Sequence, residues 1–285
     1  MKHQEFYTTP NKLRLYSQIW DPEVEPRAVV CLVHGLGEHS GRYAHVAASL
    51  TRVGYALLAY DLPGHGRSEG QRGHADSFES LMKDIDWILE ESSRLHLGKP
   101  RFLYGHSLGA LMVLNYPLRR KTELAGVIAS GPGLRSPLTE QKFKLAFARV
   151  FGTLFPTYSI PTGLEAWTIS RDSEVVRTYV NDPLVHGVTT LGMAKSTMPS
   201  IPWVFKHAAE FPVPLLIQQG TRDKLTYPDG AEKFASLVKG DCTLKMWEGL
   251  HHEVHNEPEK DQVIAYMIDW MDRKLAAFNK QPPAG

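Results

Sequence analysis

Apolar residues gather in short dense runs at Ala28 to Val33, Tyr55 to Tyr60, Arg101 to Tyr104, Ala125 to Ser130, Pro214 to Gln218 and Thr243 to Trp247. Runs of this length suit strands covered on both faces. Between most of them an apolar residue recurs every three or four positions, as on one face of a helix. The clearest such stretch opens near Asp76, where Asp76 and Glu79 stand at capping-box spacing and Phe78, Leu81, Met82, Ile85 and Leu89 share a face. A second begins at Pro228, which a first helical turn tolerates, and a third follows Pro258 with Val263, Ile264, Met267, Ile268 and Met271 on its buried side. Strands alternating with helices predict an α/β fold with a mostly parallel central sheet. Ahead of them, Leu13 to Trp20 alternates apolar and polar positions until Pro22 and Pro26 break it, which predicts a half-exposed antiparallel strand in an edge hairpin.

The rhythm fails between Leu134 and Phe211. Pro137, Pro156, Pro161, Pro183, Pro199 and Pro202 punctuate helix-like pieces there, and no strand pattern stands out. The division this predicts is a core of residues 1–133 and 212–285 carrying an inserted helical cap, 134–211. Within the cap Phe143, Phe147, Val150, Phe151 and Leu154 repeat at helical spacing, and Leu145, Phe155 and Tyr158 widen the apolar surface. Packing on the core explains such a stripe. An acyl-chain tunnel, or a lid that makes transient contact with a membrane or lipid surface, is the functional alternative, and different faces can serve both.

Composition narrows the partners. The 32 basic and 31 acidic residues leave a formal net charge of +1, which gives no reason to expect nucleic acid or electrostatic adhesion to anionic lipid. No apolar run approaches the roughly 20 residues of a membrane span. The opening residues lack the apolar stretch of a secretory signal, and Cys31 and Cys242 do not amount to a disulfide framework, so the expected location is cytoplasmic, peripheral to membrane if the cap touches lipid.

Candidate chemistry centres on Gly105-His106-Ser107-Leu108-Gly109, which lies between an apolar run and a helix-like stretch. That context makes it a nucleophile elbow, a sharp strand-to-helix turn that lifts a serine hydroxyl to where a base and an oxyanion hole can reach it. In such a fold an acid and then a histidine follow the serine in the chain, each on a loop leaving a strand. Asp223 lies on the loop after Pro214 to Gln218, and His251 and His252 follow the next strand; either histidine fits as the base. Asp229 reads instead as a helix-start residue beside Pro228. Zinc is the rival explanation for His252 and His255, three residues apart, but no further ligand cluster matches them. Oxyanion donors fall at the backbone N–H of Leu108 and, in the loop His34-Gly35-Leu36-Gly37, at that of Leu36. This loop lacks both the P-loop pattern and the third glycine of a dinucleotide fingerprint, so no cofactor is expected.

These residues, together with His34-Gly-Leu-Gly-Glu-His-Ser-Gly-Arg-Tyr43, Asp61-Leu-Pro-Gly-His-Gly-Arg-Ser-Glu-Gly70, Asn181-Asp-Pro-Leu184, Gln219-Gly-Thr-Arg-Asp223 and Gly249-Leu-His-His-Glu-Val-His-Asn-Glu257, resemble the monoacylglycerol lipases and lysophospholipase-like serine hydrolases of the α/β-hydrolase fold nearly end to end. The resemblance implies Ser107 as nucleophile, Asp223 as acid and His252 as base. It also implies that Glu38, Arg42 and His255 lie near the alcohol pocket and hold glycerol hydroxyls, with bracing of the oxyanion loop as the alternative for Glu38 and Arg42. The implied activity is hydrolysis of a small lipid ester, a monoacylglycerol, to glycerol and fatty acid through an acyl-enzyme. A broad short-chain carboxylesterase or lysophospholipase, acyl transfer to another alcohol, and a non-catalytic lipid-binding protein are the other readings.

Overall fold

The computed structural model describes residues 1–10, 12–137 and 150–280. Every dense apolar run forms a strand. Among the described residues an eight-stranded sheet is built from β1 (Lys2–Thr8), β2 (Leu15–Asp21), β3 (Ala28–Val33), β4 (Tyr55–Tyr60), β5 (Arg101–His106), β6 (Gly126–Ser130), β9 (Leu215–Gly220) and β10 (Cys242–Trp247). Two short strands, β7 (Ser159–Pro161) and β8 (Val188–Thr190), pair elsewhere. The order across the large sheet is β1-β2-β4-β3-β5-β6-β9-β10. From β4 to β10 all neighbours run parallel, while β2 pairs antiparallel with both β1 and β4. β3, β4 and β9 are buried throughout, which is why β3 and β4 are nearly all apolar, while β9 carries two buried glutamines, Gln218 and Gln219, that are hydrogen-bonded to Trp247 and Asp223.

Helices cover both faces. On one, α1 (Ala44–Arg52) and α8 (Lys260–Phe278) pack Val46, Leu50, Met267 and Trp270 against Val30, Leu57 and Phe102. On the other, α2 (Phe78–Leu95), α3 (Leu108–Arg119) and α7 (Pro228–Leu237) bury Leu81, Ile85, Met112, Val113 and Phe234 against Val29, Leu58 and Leu103. This is the α/β-hydrolase arrangement. Parallel strands deliver their following loops to one edge of the sheet, so residues after β3, β5, β9 and β10 can meet there although they are far apart in the chain.

Three local expectations need correction. β2 is interior, with β1 outside it, so Ser17 and Gln18 are buried rather than solvated; Gln18 spends its amide on the Ser40 hydroxyl (2.7 Å) and on His3 (3.1 Å). The capping box of α2 is made by Ser77 and Ser80, whose hydroxyls take each other's backbone N–H groups (3.0 and 3.2 Å), not by Asp76 and Glu79. The cap segment does contain strands: β7 and β8 are three residues each, too short for a period of two to show.

Other described helices of that segment are α4 (Ser173–Asn181), α5 (Leu191–Thr197) and α6 (Ser200–His207). α6 joins the main core through Ile201 and Val204. Of the apolar stripe, Phe143, Leu145 and Phe147 lie outside the described residues. The remainder faces outward: Leu154 is 66%, Phe155 56% and Tyr158 63% exposed, so packing on the core does not account for these three.

Candidate active site

β5 runs into α3 through Ser107, whose backbone (φ 54°, ψ −112°) lies in the left-handed half of conformational space. A non-glycine residue occupies it only when its surroundings force the turn. Here they do. A Cβ on Gly105 would come within 2.3 Å of the Gly109 carbonyl oxygen, and one on Gly109 within 2.0 Å of the Val33 oxygen, so α3 springs directly off β5 and against β3 only because both are glycine. Ser107 N–H donates to Ser130 O (2.9 Å) and Gly133 N–H to Ser107 O (3.2 Å). The serine hydroxyl does not cap α3, which leaves it available for chemistry.

The loops after β9 and β10 bring Asp223 and His252 together, with His252 Nδ1 2.7 Å from Asp223 Oδ2. Leu250 and Val254 pack on Val263 of α8 and pin the histidine loop. Asp223 is saturated with donors: the backbone N–H groups of Leu225 and Thr226 reach Oδ1 (2.8 and 2.9 Å), and Gln219 Nε2 and Thr226 Oγ1 reach Oδ2 (both 2.8 Å). Burial alone would raise this carboxyl, but the charge of His252 and bonds from His252 and Thr226 outweigh it and hold Asp223 below the ordinary carboxylate range. Conversely, burial depresses His252 while the Asp223 charge and hydrogen bond more than restore it, leaving His252 raised. With Nδ1–H committed to the carboxylate, Nε2 carries the lone pair.

His106 leans on His252 with ring centroids 4.7 Å apart. Its Nδ1 donates to Ser130 O (3.1 Å), and burial lowers it to about 3, so it stays neutral beside the imidazole.

The loop after β3 lies directly against this turn, since a Cβ on Gly35 would stand 3.1 Å from Ser107 Cβ. His34 shapes the loop: Nδ1 donates to Gly35 O (2.7 Å) and Nε2 accepts from Leu62 N–H (2.9 Å). Burial lowers His34 to about 3, which keeps this donor-acceptor pattern fixed. The N–H of Leu108, the first residue of α3, has no partner within that helix and lies at its positive end.

Beneath the loop is a buried ionic network. Glu38 accepts from Gly35 N–H (2.7 Å) and Tyr43 Oη–H (2.8 Å) at Oε1 and from Arg42 (2.8 Å) at Oε2. Arg42 also grips Glu253 through both carboxylate oxygens (2.7 and 2.6 Å). Burial would raise Glu253, but Arg42 holds it far below the usual range; burial raises Glu38 against the pull of Arg42, and the Glu253 charge adds to the rise. His255 is buried, stacked on Tyr43 (4.8 Å) and edge-on to His106 (4.8 Å), so His106 stands between it and His252. Burial and His106 push His255 well below the ordinary histidine range.

Of the residues named from sequence, Asp223 and His252 are hydrogen-bonded to each other, Leu108 opens α3 directly after Ser107, and the loop bearing Leu36 touches the Ser107 turn through Gly35. Glu38 and Arg42 fall in the network under the loop. Sequence reading missed Glu253, Gln219, Thr226 and Glu257, the last fully buried and accepting from His251 N–H (2.6 Å) and Arg171 (3.0 Å). Their only signal was proximity to His252 or Asp223 in the chain. Among the described residues, no group of three histidine, cysteine, aspartate or glutamate side chains is placed to hold a metal ion.

Fold and site define a serine hydrolase of the α/β-hydrolase class. The chain belongs to the family described as serine aminopeptidase, S33, whose model matches residues 24–259. It is similar to a monoacylglycerol lipase of Mycolicibacterium smegmatis, 34% identical over 91% of this chain and 93% of that one. The crystal structure of a monoacylglycerol lipase of Paleococcus ferrophilus superposes with a TM-score of 0.84 at 36% identity, covering 91% of this chain and 99% of that chain. An uncharacterized abhydrolase domain-containing protein of Dictyostelium discoideum is 37% identical over 97% of this chain, which spans 30% of that protein's length.

Proposed function

We propose that the protein hydrolyses monoacylglycerols, with Ser107 as nucleophile, His252 as general base and then acid, Asp223 as its orienting carboxylate, and the Leu36 and Leu108 N–H groups as the oxyanion hole. His252 Nε2 takes the serine proton as Oγ attacks the ester carbonyl, and Asp223 stabilises the imidazolium that forms. The tetrahedral oxyanion points at the two amides. Collapse expels the glycerol oxygen, protonated by His252, and leaves an acyl-enzyme. Water, deprotonated by the same imidazole, then releases the fatty acid and regenerates Ser107.

The observation that carries the reading is the 2.7 Å His252–Asp223 pair beside a serine held at positive φ with its hydroxyl uncommitted. The glyceride assignment is supported by the relatives' activities and by the HGxGEHxxRY block from His34 to Tyr43. The test is kcat/KM for a medium-chain monoacylglycerol against a p-nitrophenyl ester of the same acyl chain. A glyceride within about tenfold of the aryl ester, roughly 1.4 kcal/mol, means the site compensates for the poorer leaving group. A lag of orders of magnitude would assign a broad esterase or lysophospholipase instead.

The segment 134–211 acts in this reading as a cap over the acyl site. Its outward Leu154, Phe155 and Tyr158, with Trp167 51% exposed nearby in the chain, form a surface for transient contact with lipid. No helix among the described residues is long and apolar enough to cross a membrane, so contact would be superficial. Co-sedimentation with phosphatidylcholine vesicles that survives Phe155→Ser unchanged would refute it. Glu38 and Arg42 serve as braces of the oxyanion loop, because their polar atoms are already engaged with Gly35, Tyr43 and Glu253.

A further inference from the structure

The segment that follows α4 grips the oxyanion loop from outside, at two points. At the first, Asp182 Oδ2 lies 2.9 Å from His39 Nε2, while its Oδ1 accepts from Leu184 N–H (2.8 Å) and so fixes the carboxylate in a tight turn. His39 Nδ1 accepts from Gly41 N–H (3.2 Å), which makes His39 the cap of the single helical turn Ser40–Tyr43. Because Nδ1 is an acceptor, the neutral ring carries its proton on Nε2, aimed at Asp182. That turn bears Arg42 and Tyr43, two of the groups that hold Glu38, and Glu38 in turn holds Gly35 N–H. The Arg42 guanidinium also lies 4.8 Å over the Tyr179 ring of α4.

At the second point His186 N–H donates to Gly37 O (2.9 Å). Gly37 has φ +81°, and a Cβ there would strike the His186 carbonyl oxygen at 2.3 Å, so the two backbones are in direct contact. Leu36, whose N–H is assigned to the oxyanion, is therefore bracketed on its C-terminal side by cap contacts at residue 37 and at residues 39 to 42.

We propose that Asp182 is a positioning residue for the oxyanion hole: through His39 it sets the Ser40–Tyr43 turn, so that the hole is competent only when the 182–186 segment of the cap is seated on it. This rests on the oxyanion assignment made above. Losing the Asp182–His39 contact does not remove a donor but lets the loop carrying one relax, so the expected loss is about tenfold in kcat, short of the roughly 100- to 1,000-fold cost of deleting a donor outright. KM should change little, because Asp182 binds no substrate.

The experiment compares wild type, Asp182→Ala, His39→Asn and the double variant on p-nitrophenyl butyrate and on its thiono analogue, in which sulfur replaces the carbonyl oxygen and accepts hydrogen bonds poorly. Asn at position 39 keeps the cap on Gly41 but is too short to reach Asp182. The expected result is a similar drop in kcat for each single variant, no further drop in the double, and an oxo-to-thiono rate ratio that falls in step. Thermal melting identifies any variant lost to unfolding, and the other then carries the comparison. Wild-type kcat in both folded single variants, additive losses, or an unchanged oxo-to-thiono ratio would overturn the proposal. A wild-type ratio near one would instead strike the oxyanion assignment itself.

Discussion

Replacing Glu38 by Gln separates bracing from glycerol recognition. The change is isosteric and removes one charge. If the amide oxygen stays on Gly35 N–H and Tyr43 Oη–H, the NH₂ group faces Arg42 Nη1, donor against donor, and the 2.8 Å charge-assisted bond is lost. Such a bond contributes about 1.5–3 kcal/mol, and Arg42 keeps its two bonds to Glu253, so the buried guanidinium is not orphaned. We expect destabilisation of about 2 kcal/mol, which for a chain of 285 residues lowers Tm by about 3 °C. Turnover should fall by a similar factor on a medium-chain monoacylglycerol and on the p-nitrophenyl ester of the same acid, because a loosened loop weakens oxyanion stabilisation for any leaving group. The assays are a thermal melt and the two kcat/KM values. An unchanged Tm with a loss confined to the glyceride would refute this reasoning and return Glu38 to the alcohol pocket.

Ser107→Ala should leave the melting temperature unaltered and reduce turnover by on the order of 10⁵- to 10⁶-fold; residual activity within 100-fold of wild type would remove Ser107 from the chemistry. Asp223→Asn should cost about 10⁴-fold in kcat, since an amide facing His252 Nδ1 favours the wrong tautomer. The base must be neutral to accept the serine proton, and Asp223 raises His252 above its ordinary 6.5, so kcat/KM should fall as pH drops with a midpoint above 6.5. In Asp223→Asn that midpoint should move down; a wild-type midpoint below 6 would contradict the assignment. Gly109→Ala places a Cβ 2.0 Å from Val33 O and 2.6 Å from His34 O, backbone atoms that cannot move without shifting β3, so it should abolish soluble expression or lower Tm by about 5 °C or more, roughly 3 kcal/mol or more. Wild-type melting of that variant would show the elbow to be looser than described.

The strands of the large sheet and the candidates for the chemistry were legible in the chain alone. Strands buried on both faces are mostly apolar, so β3 and β4 announce themselves, as does the Leu215–Ile217 half of β9, and the helices α2 and α8 show their buried faces through a period near 3.6. Ser107 was legible because a positive-φ serine between β5 and α3 forces glycine at 105 and 109, where Cβ atoms would meet backbone. Asp223 and the pair His251–His252 followed from chain order, since parallel strands send their loops to one edge, and only the family resemblance singled out His252.

Tertiary structure decided what no local pattern encodes. Whether Ser17 and Gln18 are wet depends on β1 lying outside β2, and an alternating strand looks the same either way. β7 and β8 are too short to carry a period. Glu253 and Arg42 stand 211 residues apart, and nothing in either neighbourhood says that one guanidinium will be shared between two buried carboxylates. The same holds for Asp182 on His39 across 143 residues. A buried charge needs a partner, but the chain does not name it, because that choice is made only when the loops of distant strands are folded onto one another.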